Sequence, residues 1–413
     1  MKGGICLPYG YNNRNSYRGS TGYKPSARQR DRSKRRLNRR RLRNRAIIIT
    51  AGVLILALIF FIMFKFFSCV CGSVSGQGSV IDTSTVQKKE TAKPVSEKKT
   101  EDEFKAPEIK DTAKKTKGVT EAGMYVWNKA CFEPFYGEAD KAKEYAGVMN
   151  YAKKTLGKDI NVYSVIVPNH IEMGLPERLK NTDGGIATNS QAEYIKTAYN
   201  AMNKDVKHIN AYNKLSEHCN DYIYFNSDHH WTGLGAYYAY TAFMEETKQT
   251  PIKLEDCTEN TIKGFTGSFT ELVTKPLKKD TVYFWSMPFD LTNTFTDESG
   301  EENTAETLYY WYATGGRDTY GVFLFGDMPL EVIKSKSPNA KGKIAIVHES
   351  YGNAFVPYFT NNYKEVYSID FRSWNGDLKS YCKEKGINNV LFINGVMSSA
   401  TEDLLQALKT KVG

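Results

Sequence analysis

One apolar run near the start of the chain restricts what this sequence can form more than any other feature. Residues 46–64 carry no charged side chain and are mostly Ile, Leu, Phe, Val and Ala. A helix of about 20 apolar residues crosses the roughly 30 Å hydrocarbon layer of a bilayer. The apolar core of a cleaved signal peptide is shorter, roughly 7 to 15 residues. We therefore expect residues 46–67 to form one uncleaved transmembrane helix.

The residues before this run form a basic tail. The first 45 residues contain 15 Lys or Arg and one acid, Asp31, which gives a net charge of 15 − 1 = +14. Such a segment buries too little apolar surface to offset its chain entropy, so we expect residues 1–45 to be disordered. The positive-inside rule keeps the tail in the cytoplasm. This predicts a single-pass cell-membrane protein whose C-terminal part lies outside the cell.

Composition then separates a linker from a folded domain. Residues 68–120 are rich in Ser, Gly, Thr, Lys, Glu and Pro, which is typical of a flexible linker. Residues 46–413 carry 56 − 15 = 41 bases and 46 − 1 = 45 acids. The basic character of the chain thus belongs to its tail, and we expect no nucleic-acid partner for the folded part.

Residues 121–413 show the alternation of strand and helix that is typical of an α/β domain, with a mostly parallel sheet flanked by helices. Short β-rich runs predict strands at 160–167, 222–225, 282–285, 321–325, 343–347, 365–369 and 389–393. Apolar residues spaced by three and four predict helices at 139–156, 191–215, 235–247, 375–385 and 401–411. Apart from the β-rich run at 282–285, residues 248–317 keep neither period, which predicts an inserted irregular lobe or lid.

The chemistry-bearing residues concentrate between a predicted strand and a predicted helix. Residues 226–235 read NSDHHWTGLG and contain two of the six histidines of the chain. In extended backbone, residues two apart project to the same side, so Asp228 can orient His230 as a general base while His229 packs elsewhere. A hydrogen-bonded turn that merely caps the next helix explains the same run without chemistry.

A nucleophile is offered by a second strand end. The predicted strand 343–347 leads into His348, Glu349 and Ser350, and helix-compatible residues follow. A strand-to-helix turn exposes a serine hydroxyl and points helix amides toward it. The alternative is that Ser350 is an ordinary helix N-cap.

The run Asp228-His229-His230-Trp231, followed by Thr232-Gly233-Leu234-Gly235-Ala236-Tyr237, resembles the signature of bacterial DHHW proteins, which are similar to alginate O-acetyltransferases. The resemblance covers roughly residues 125–408, and Gly264-Phe265-Thr266-Gly267-Ser268 supports it. It implies an SGNH-hydrolase-like (flavodoxin-like) domain in which the Asp-x-His pair precedes the nucleophilic serine. One departure is Glu349, because relatives usually carry Asp before that serine.

By this resemblance the catalytic residues are Asp228, His230 and Ser350, and the enzyme is an O-acyltransferase or esterase that acts on a cell-surface polysaccharide. Acetyl is the expected acyl group, supplied by a donor or by a membrane acyl-transfer partner. No metal and no cofactor is expected. The expected oxyanion and substrate contacts are the Tyr351 amide, Asn394, Arg372 for a glycan carboxylate or sulfate, and Trp231.

Three alternatives remain at the level of sequence. A metal phosphoesterase of the DHH type also contains Asp-His-His, but no Asp-x-Asp ligand pair precedes the motif within the folded domain. A zinc site is disfavoured because none of the cysteines has a partner at the close spacing that zinc ligands need; these are Cys131, Cys219, Cys257 and Cys382. The four cysteines could form two disulfides or stay reduced. The main rival is a non-catalytic surface protein of the same fold that binds glycan through its many aromatic side chains.

Overall fold

The structure is a computed structural model that describes residues 103–297, 301–311 and 313–413. The predicted tail, the predicted transmembrane helix at 46–67 and most of the predicted linker lie outside the described residues. Among the helices that the structure does describe, none is both long enough and apolar enough to cross a membrane.

Three sheets form the β-structure of the described chain. The small N-terminal sheet has the order β1-β2-β3, the main sheet has the order β5-β4-β13-β11-β12-β10-β8-β9, and β6 pairs with β7. The strands are β1 (Val119–Glu121), β2 (Met124–Trp127), β3 (Ala130–Phe132), β4 (Asn161–Val167), β5 (Val206–His208), β6 (Thr258–Phe265), β7 (Asp280–Ser286), β8 (Leu291–Thr296), β9 (Glu302–Ala305), β10 (Leu330–Ser335), β11 (Lys343–His348), β12 (Glu365–Asp370) and β13 (Asn389–Gly395).

The main sheet is mixed. Its five strands from β5 to β12 pair in parallel, and β10, β8 and β9 extend it with antiparallel pairing. Strands β4, β11, β12 and β13 are buried along nearly their whole length, because helices cover both faces of a parallel sheet. The expected mostly parallel sheet is therefore correct for these strands and wrong for the three antiparallel ones.

The helices form two groups around this sheet. Helix α1 contacts α3, α7 and α9, whereas α5 contacts α4 and α6. The helices are α1 (Ala139–Leu156), α2 (His170–Gly174), α3 (Gln191–Ala201), α4 (Ala211–Glu217), α5 (Gly233–Glu246), α6 (Tyr351–Phe359), α7 (Leu378–Lys385), α8 (Val396–Ser399) and α9 (Glu402–Val412).

The helix predicted at 191–215, the irregular lobe predicted at 248–317 and the strand predicted at 321–325 are not found as predicted, and the first residues of that strand belong to a 3₁₀ turn, Arg317–Val322. The helix predicted at 191–215 is interrupted, because the Val206 amide bonds to the Asn203 carbonyl in a turn and β5 then joins the sheet beside β4. The region predicted to be irregular contains strands β6 to β9. Residues 291–296 alternate between buried and half-buried, but one inward position is the polar Asn293, which hides the period-two pattern in the sequence.

Asn293 accompanies a buried acid in the antiparallel part of the main sheet. Its side-chain amide donates to the carboxyl of Glu331 on β10, which is only 1% exposed. Burial raises the pKa of Glu331 to about 8, partly offset by the Asn293 hydrogen bond. Glu331 is therefore protonated in the folded protein at neutral pH.

This raised pKa predicts a specific pH dependence of stability. Between the unfolded pKa and about 8 the folded state binds the extra proton, so the Glu331 contribution to stability falls as pH rises through that window. We expect the free energy of unfolding to fall by a few kcal/mol, order of magnitude, from pH 5 to pH 8. Glu331→Gln should remove most of that slope in denaturant titrations, and an unchanged slope would contradict a buried neutral carboxyl.

Candidate active site

The Asp-His run lies in a short loop before α5. Tyr224 and Trp231 close the loop as an isolated antiparallel bridge, so the strand predicted at 222–225 is reduced to one pairing. Thr232 then caps α5, because its hydroxyl accepts the Gly235 amide at 3.2 Å. The helix-capping explanation of this run is thus correct for Thr232, and it leaves the residues before it to be explained.

A buried carboxylate on β7 shapes this loop. Asp280 is 2% exposed and accepts hydrogen bonds from the Ser227 amide at 2.8 Å, the Ser227 hydroxyl at 2.6 Å and the Asn226 amide at 3.0 Å. The Tyr222 hydroxyl also donates to it at 2.6 Å. A buried carboxylate needs such donors in place of water. Asp280 therefore holds the backbone immediately before Asp228.

Asp228 and His230 meet as the sequence predicts, by a different local route. The Asp228 Oδ1 lies 2.6 Å from His230 Nδ1 and also accepts the His230 backbone amide at 3.0 Å. The pair is brought together by this side-chain-to-backbone turn, not by extended backbone. The other oxygen, Oδ2, accepts the Ser268 amide at 2.7 Å.

The environment of Asp228 keeps it ionised. Burial by itself raises the pKa of Asp228, but the charge and hydrogen bond of His230, the nearby His229 and the Ser268 amide hold that pKa well below its usual range. Gly267 is required for this approach, since a Cβ there would lie 2.2 Å from the Asp228 Cβ. The glycine and serine of the run 264–268 thus enclose the carboxylate.

Ser350 completes a chain of three side chains. Its Oγ lies 2.7 Å from His230 Nε2, across a sequence separation of 120 residues. Ser350 occupies the N-cap position of α6 but makes no side-chain capping bond, and its backbone is unstrained at φ −53° and ψ −20°. The hydroxyl is therefore directed to the imidazole instead of the helix amides, as a nucleophile served by a base requires.

Tyr320 braces both members of this contact. Its ring stacks on the His230 ring with centroids 3.9 Å apart and planes within 6°, and its hydroxyl donates to the Ser350 carbonyl at 3.0 Å. Burial raises the pKa of Tyr320 well above its usual value, so the phenol keeps its proton. Tyr320 lies in a 3₁₀ turn, Arg317–Val322, just before the strand predicted at 321–325, and no local pattern marks it.

His229 does not point away from the pair, contrary to the expectation: its ring lies against the His230 ring with centroids 3.8 Å apart, and its Nδ1 lies 3.7 Å from the Asp228 Oδ1. Its Nδ1 lies 2.8 Å from the Ser268 Oγ, and its side chain is 39% exposed. Burial and the neighbouring His230 lower the pKa of His229 to about 4, so it is neutral near pH 7.

The expected oxyanion donor at Tyr351 is already engaged. Its amide donates to Glu349 Oε2 at 2.9 Å, and the Gly395 amide donates to Glu349 Oε1 at 2.7 Å. Glu349 thereby ties the turn that carries Ser350 to the end of β13. We call these two hydrogen bonds the Glu349 clamp. While they are formed, the Tyr351 amide is not free to bind an oxyanion.

Three other expected substrate contacts have different roles in the structure. Trp231 is fully buried, and its indole N–H donates to the Tyr351 carbonyl at 3.0 Å. Asn394 is 2% exposed, and its Oδ1 accepts the Tyr145 hydroxyl at 3.2 Å. Arg372 does reach the cleft, but its guanidinium is paired with Asp370 at 2.5 Å and with Asp327 at 2.9 Å. The Trp231 indole and the Arg372 guanidinium are thus engaged within the protein, whereas the Asn394 contact uses its amide oxygen and not its N–H donors.

A cleft of about 330 Å³ opens beside Ser350. This volume lies at the small end of the roughly 300 to 1,000 Å³ range of ligand pockets. Its lining combines the serine with acidic, polar and apolar side chains: Glu133, His229, Ser268, Phe269, Leu272, Glu349, Ser350, Tyr351, Arg372, Gly395, Val396, Met397, Ser398 and Leu404.

A metal would compete with this arrangement. Ligand-capable atoms of Asp228, His229 and His230 lie within 4.8 Å of one another. However, both ring nitrogens of His230 already contact Asp228 and Ser350. The three side chains could bind a metal through His230 only by breaking one of those contacts. Within the described chain, Cys131, Cys219, Cys257 and Cys382 are unpaired thiols.

We expect Tyr320→Phe to impair the site more than the fold. The variant keeps the ring stacked on His230 but removes the phenol donor from the Ser350 carbonyl, which still accepts the Asn353 backbone amide at 3.2 Å, a loss of about 1 kcal/mol. The distance between the imidazole and the hydroxyl should then relax. The measurement is the rate at which a sulfonyl fluoride labels Ser350, followed by peptide mass mapping. We expect this labelling rate to be several-fold lower in Tyr320→Phe than in the wild type. Equal labelling rates would show that the Tyr320 hydroxyl does not position the serine.

Asp280→Asn should destabilise the fold itself. The side-chain N–H group of the new asparagine would face the backbone N–H and the hydroxyl of Ser227, which are also donors. These buried donors would lose their acceptor, and we expect the free energy of unfolding to fall by roughly 2–4 kcal/mol. Thermal unfolding measures this against Asp256→Asn, an exposed carboxylate, which should change stability by less than about 0.5 kcal/mol. Similar losses in the two variants would contradict the role of Asp280.

Known proteins share this sequence pattern and fold. A family model described as DHHW protein matches residues 95–369. A DHHW family protein from Eubacterium siraeum DSM 15702 has a crystal structure with a TM-score of 0.64 and 27% identity, covering 71% of this chain and 97% of that one. Bacillus cereus PatB1 with a sulfonyl adduct has a TM-score of 0.56 and 19% identity, covering 70% and 97%.

PatB1 in its other structure gives a TM-score of 0.55 and 18% identity, with 70% and 98% covered. No curated protein matches the sequence. The matched residues 95–369 make up more than half of the chain and include the Asp-His run, the serine turn and most of the main sheet. The predicted resemblance is confirmed: the chain belongs to the DHHW family.

Proposed function

We propose that the chain is a serine O-acyltransferase or esterase that modifies a polysaccharide of the cell surface, with acetyl as the transferred group. The observation that carries the proposal is the 2.7 Å contact between His230 Nε2 and Ser350 Oγ. The other ring nitrogen of His230, Nδ1, lies 2.6 Å from Asp228. A nucleophile, a base and a group that orients the base are the elements of covalent acyl transfer.

The proposed reaction has two halves. The Ser350 oxygen attacks the acyl carbonyl of the donor while His230 Nε2 takes the hydroxyl proton, and the ionised Asp228 stabilises the imidazolium. His230 returns the proton to the leaving oxygen, which leaves an acyl-serine. A sugar hydroxyl or water then gives its proton to His230 and attacks the acyl-serine. The bond between the acyl carbon and Ser350 Oγ breaks, and His230 passes the proton to that oxygen, which restores Ser350 and His230 and produces either an acylated sugar or a free acid.

The surroundings of Ser350 suit this reaction. The N-terminal end of α6 lies directly behind the nucleophile and favours developing negative charge. The donors for the oxyanion become available if Glu349 releases the Tyr351 and Gly395 amides. The proposal also places the domain outside the cell, tethered by residues 46–67, and this part rests on the sequence alone.

Substitution of the three residues tests the proposal. Using the full-length chain in detergent, we expect Ser350→Ala and His230→Ala each to lower acetyl release from a chromogenic acetyl ester by about 10³-fold or more, because the acyl-serine cannot form. Asp228→Asn should cause a loss of similar order through the tautomer of His230. The matched control is Ser380→Ala, an exposed serine on α7, which should retain wild-type rates.

Adding a polysaccharide separates the two reactions. Acetyl groups found on the glycan by mass spectrometry indicate transfer, and release of acetate alone indicates hydrolysis. If wild-type release is no faster than that of Ser350→Ala, the triad is not catalytic and the glycan-binding surface protein becomes the better explanation.

A further inference from the structure

The charged side chains that line the cleft restrict which sugars can bind there as acceptors of the acyl group. Among the described residues that line it, Arg372 is the one side chain with a permanent positive charge. Its guanidinium binds Asp370 through two nitrogens and also reaches Asp327, and Asp327 accepts the Asn353 amide at 2.8 Å. Two carboxylates around one guanidinium leave this cluster with a net charge of about −1. It does not attract a glycan carboxylate or sulfate.

The remaining lining adds further negative charge. Glu349 is 4% exposed and satisfies its two oxygens with backbone amides, which do not neutralise its charge. His229 is neutral near pH 7, because burial and the neighbouring His230 lower its pKa to about 4. The one cation of the described lining, Arg372, also acts on Glu349, so Arg372 together with Asp327, Asp370 and Glu349 has a net charge of about −2.

Glu133 is the carboxylate still available to a ligand. It follows β3, is half-buried, and lines the same cleft as Ser350. Its backbone carbonyl accepts the Asn169 amide at 3.1 Å, but its carboxylate makes no hydrogen bond or ion pair with any side chain or amide that the structure describes. Burial raises the pKa of Glu133, an effect that the nearby His229 partly offsets. A cationic ligand group beside Glu133 would lower the free-energy cost of keeping its carboxylate ionised in this half-buried position.

We propose that the cleft accepts sugars that carry a protonated amino group, with Glu133 as the residue that pairs with the ammonium, and that it rejects uronic acids. The inference rests on the proposed function and names its acceptor class. An ammonium beside a half-buried carboxylate forms a charge-assisted hydrogen bond, whereas a uronate in the same place meets like charge in a medium less polar than water. Arg372, expected from sequence to bind an anionic glycan, instead helps to hold the wall of the cleft.

Binding to an inactive protein tests the acceptor class apart from catalysis. Full-length Ser350→Ala is titrated calorimetrically with glucosamine, glucose and uronate oligosaccharides of equal length. We expect the glucosamine oligomer to bind at least ten-fold more tightly than the uronate oligomer at low salt, and the preference to shrink as salt rises. Equal binding of the two, or tighter binding of the uronate oligomer, overturns the proposal and leaves the triad mechanism intact.

Substitution then assigns the preference to one residue. In the same background, Glu133→Gln should reduce the ratio of glucosamine to uronate affinity by about five-fold or more, and Glu133→Asp should restore part of it. In the active protein, Glu133→Gln should raise the KM for a glucosamine acceptor more than it lowers kcat. The control with the same change in net charge is Glu193→Gln, an exposed carboxylate on α3; an equal effect in this control would show a general surface effect and would overturn the role of Glu133.

Discussion

The buried carboxylate of Asp280 is the interaction on which the geometry of the site depends. It gathers the amide and hydroxyl of Ser227, the amide of Asn226 and the hydroxyl of Tyr222, all at 3.0 Å or less. This collection of donors fixes the loop from which Asp228 and His230 project. A carboxylate so deeply buried is stable only with this full set of partners, so folding of β7 and the shape of the catalytic loop are linked.

The parallel part of the sheet supplies the other half of the site. Strands β11, β12 and β13 run in the same direction, so their carboxyl ends meet at one edge. Ser350 follows β11, Arg372 follows β12 and Gly395 ends β13. The Glu349 clamp joins two of these ends directly. Tyr320 then reaches in from the antiparallel side and fixes the imidazole against the serine.

The cleft at this edge combines a nucleophile with unusual electrostatics. The guanidinium of Arg372 is paired with Asp327 and Asp370 within the protein. The carboxylates of Glu133 and Glu349 therefore give the cleft a negative charge. The charge of a cleft sets which substrates gather in it. In the proposed function, the same paired side chains that give the wall its rigidity therefore also decide which sugars approach Ser350.

Much of this protein could be predicted from its sequence. The β-rich runs locate the central strands β4, β11, β12 and β13, because the interiors of those strands are mainly apolar. Asp228 and His230 are two residues apart, so their pairing is a local property. A serine directly after a strand was a sound candidate for the same reason, and the family signature agrees with both.

Only the tertiary structure decided the rest. The contact between His230 and Ser350 spans 120 residues, and it exists because the loop before α5 meets the carboxyl edge of β11. The stacking of Tyr320, the donors around Asp280, the bond from the Gly395 amide to Glu349 and the ion pair between Arg372 and Asp327 are likewise long-range contacts. No pattern in the neighbouring sequence marks them, because each depends on which elements the topology places side by side, whereas local spacing records only what one segment does by itself.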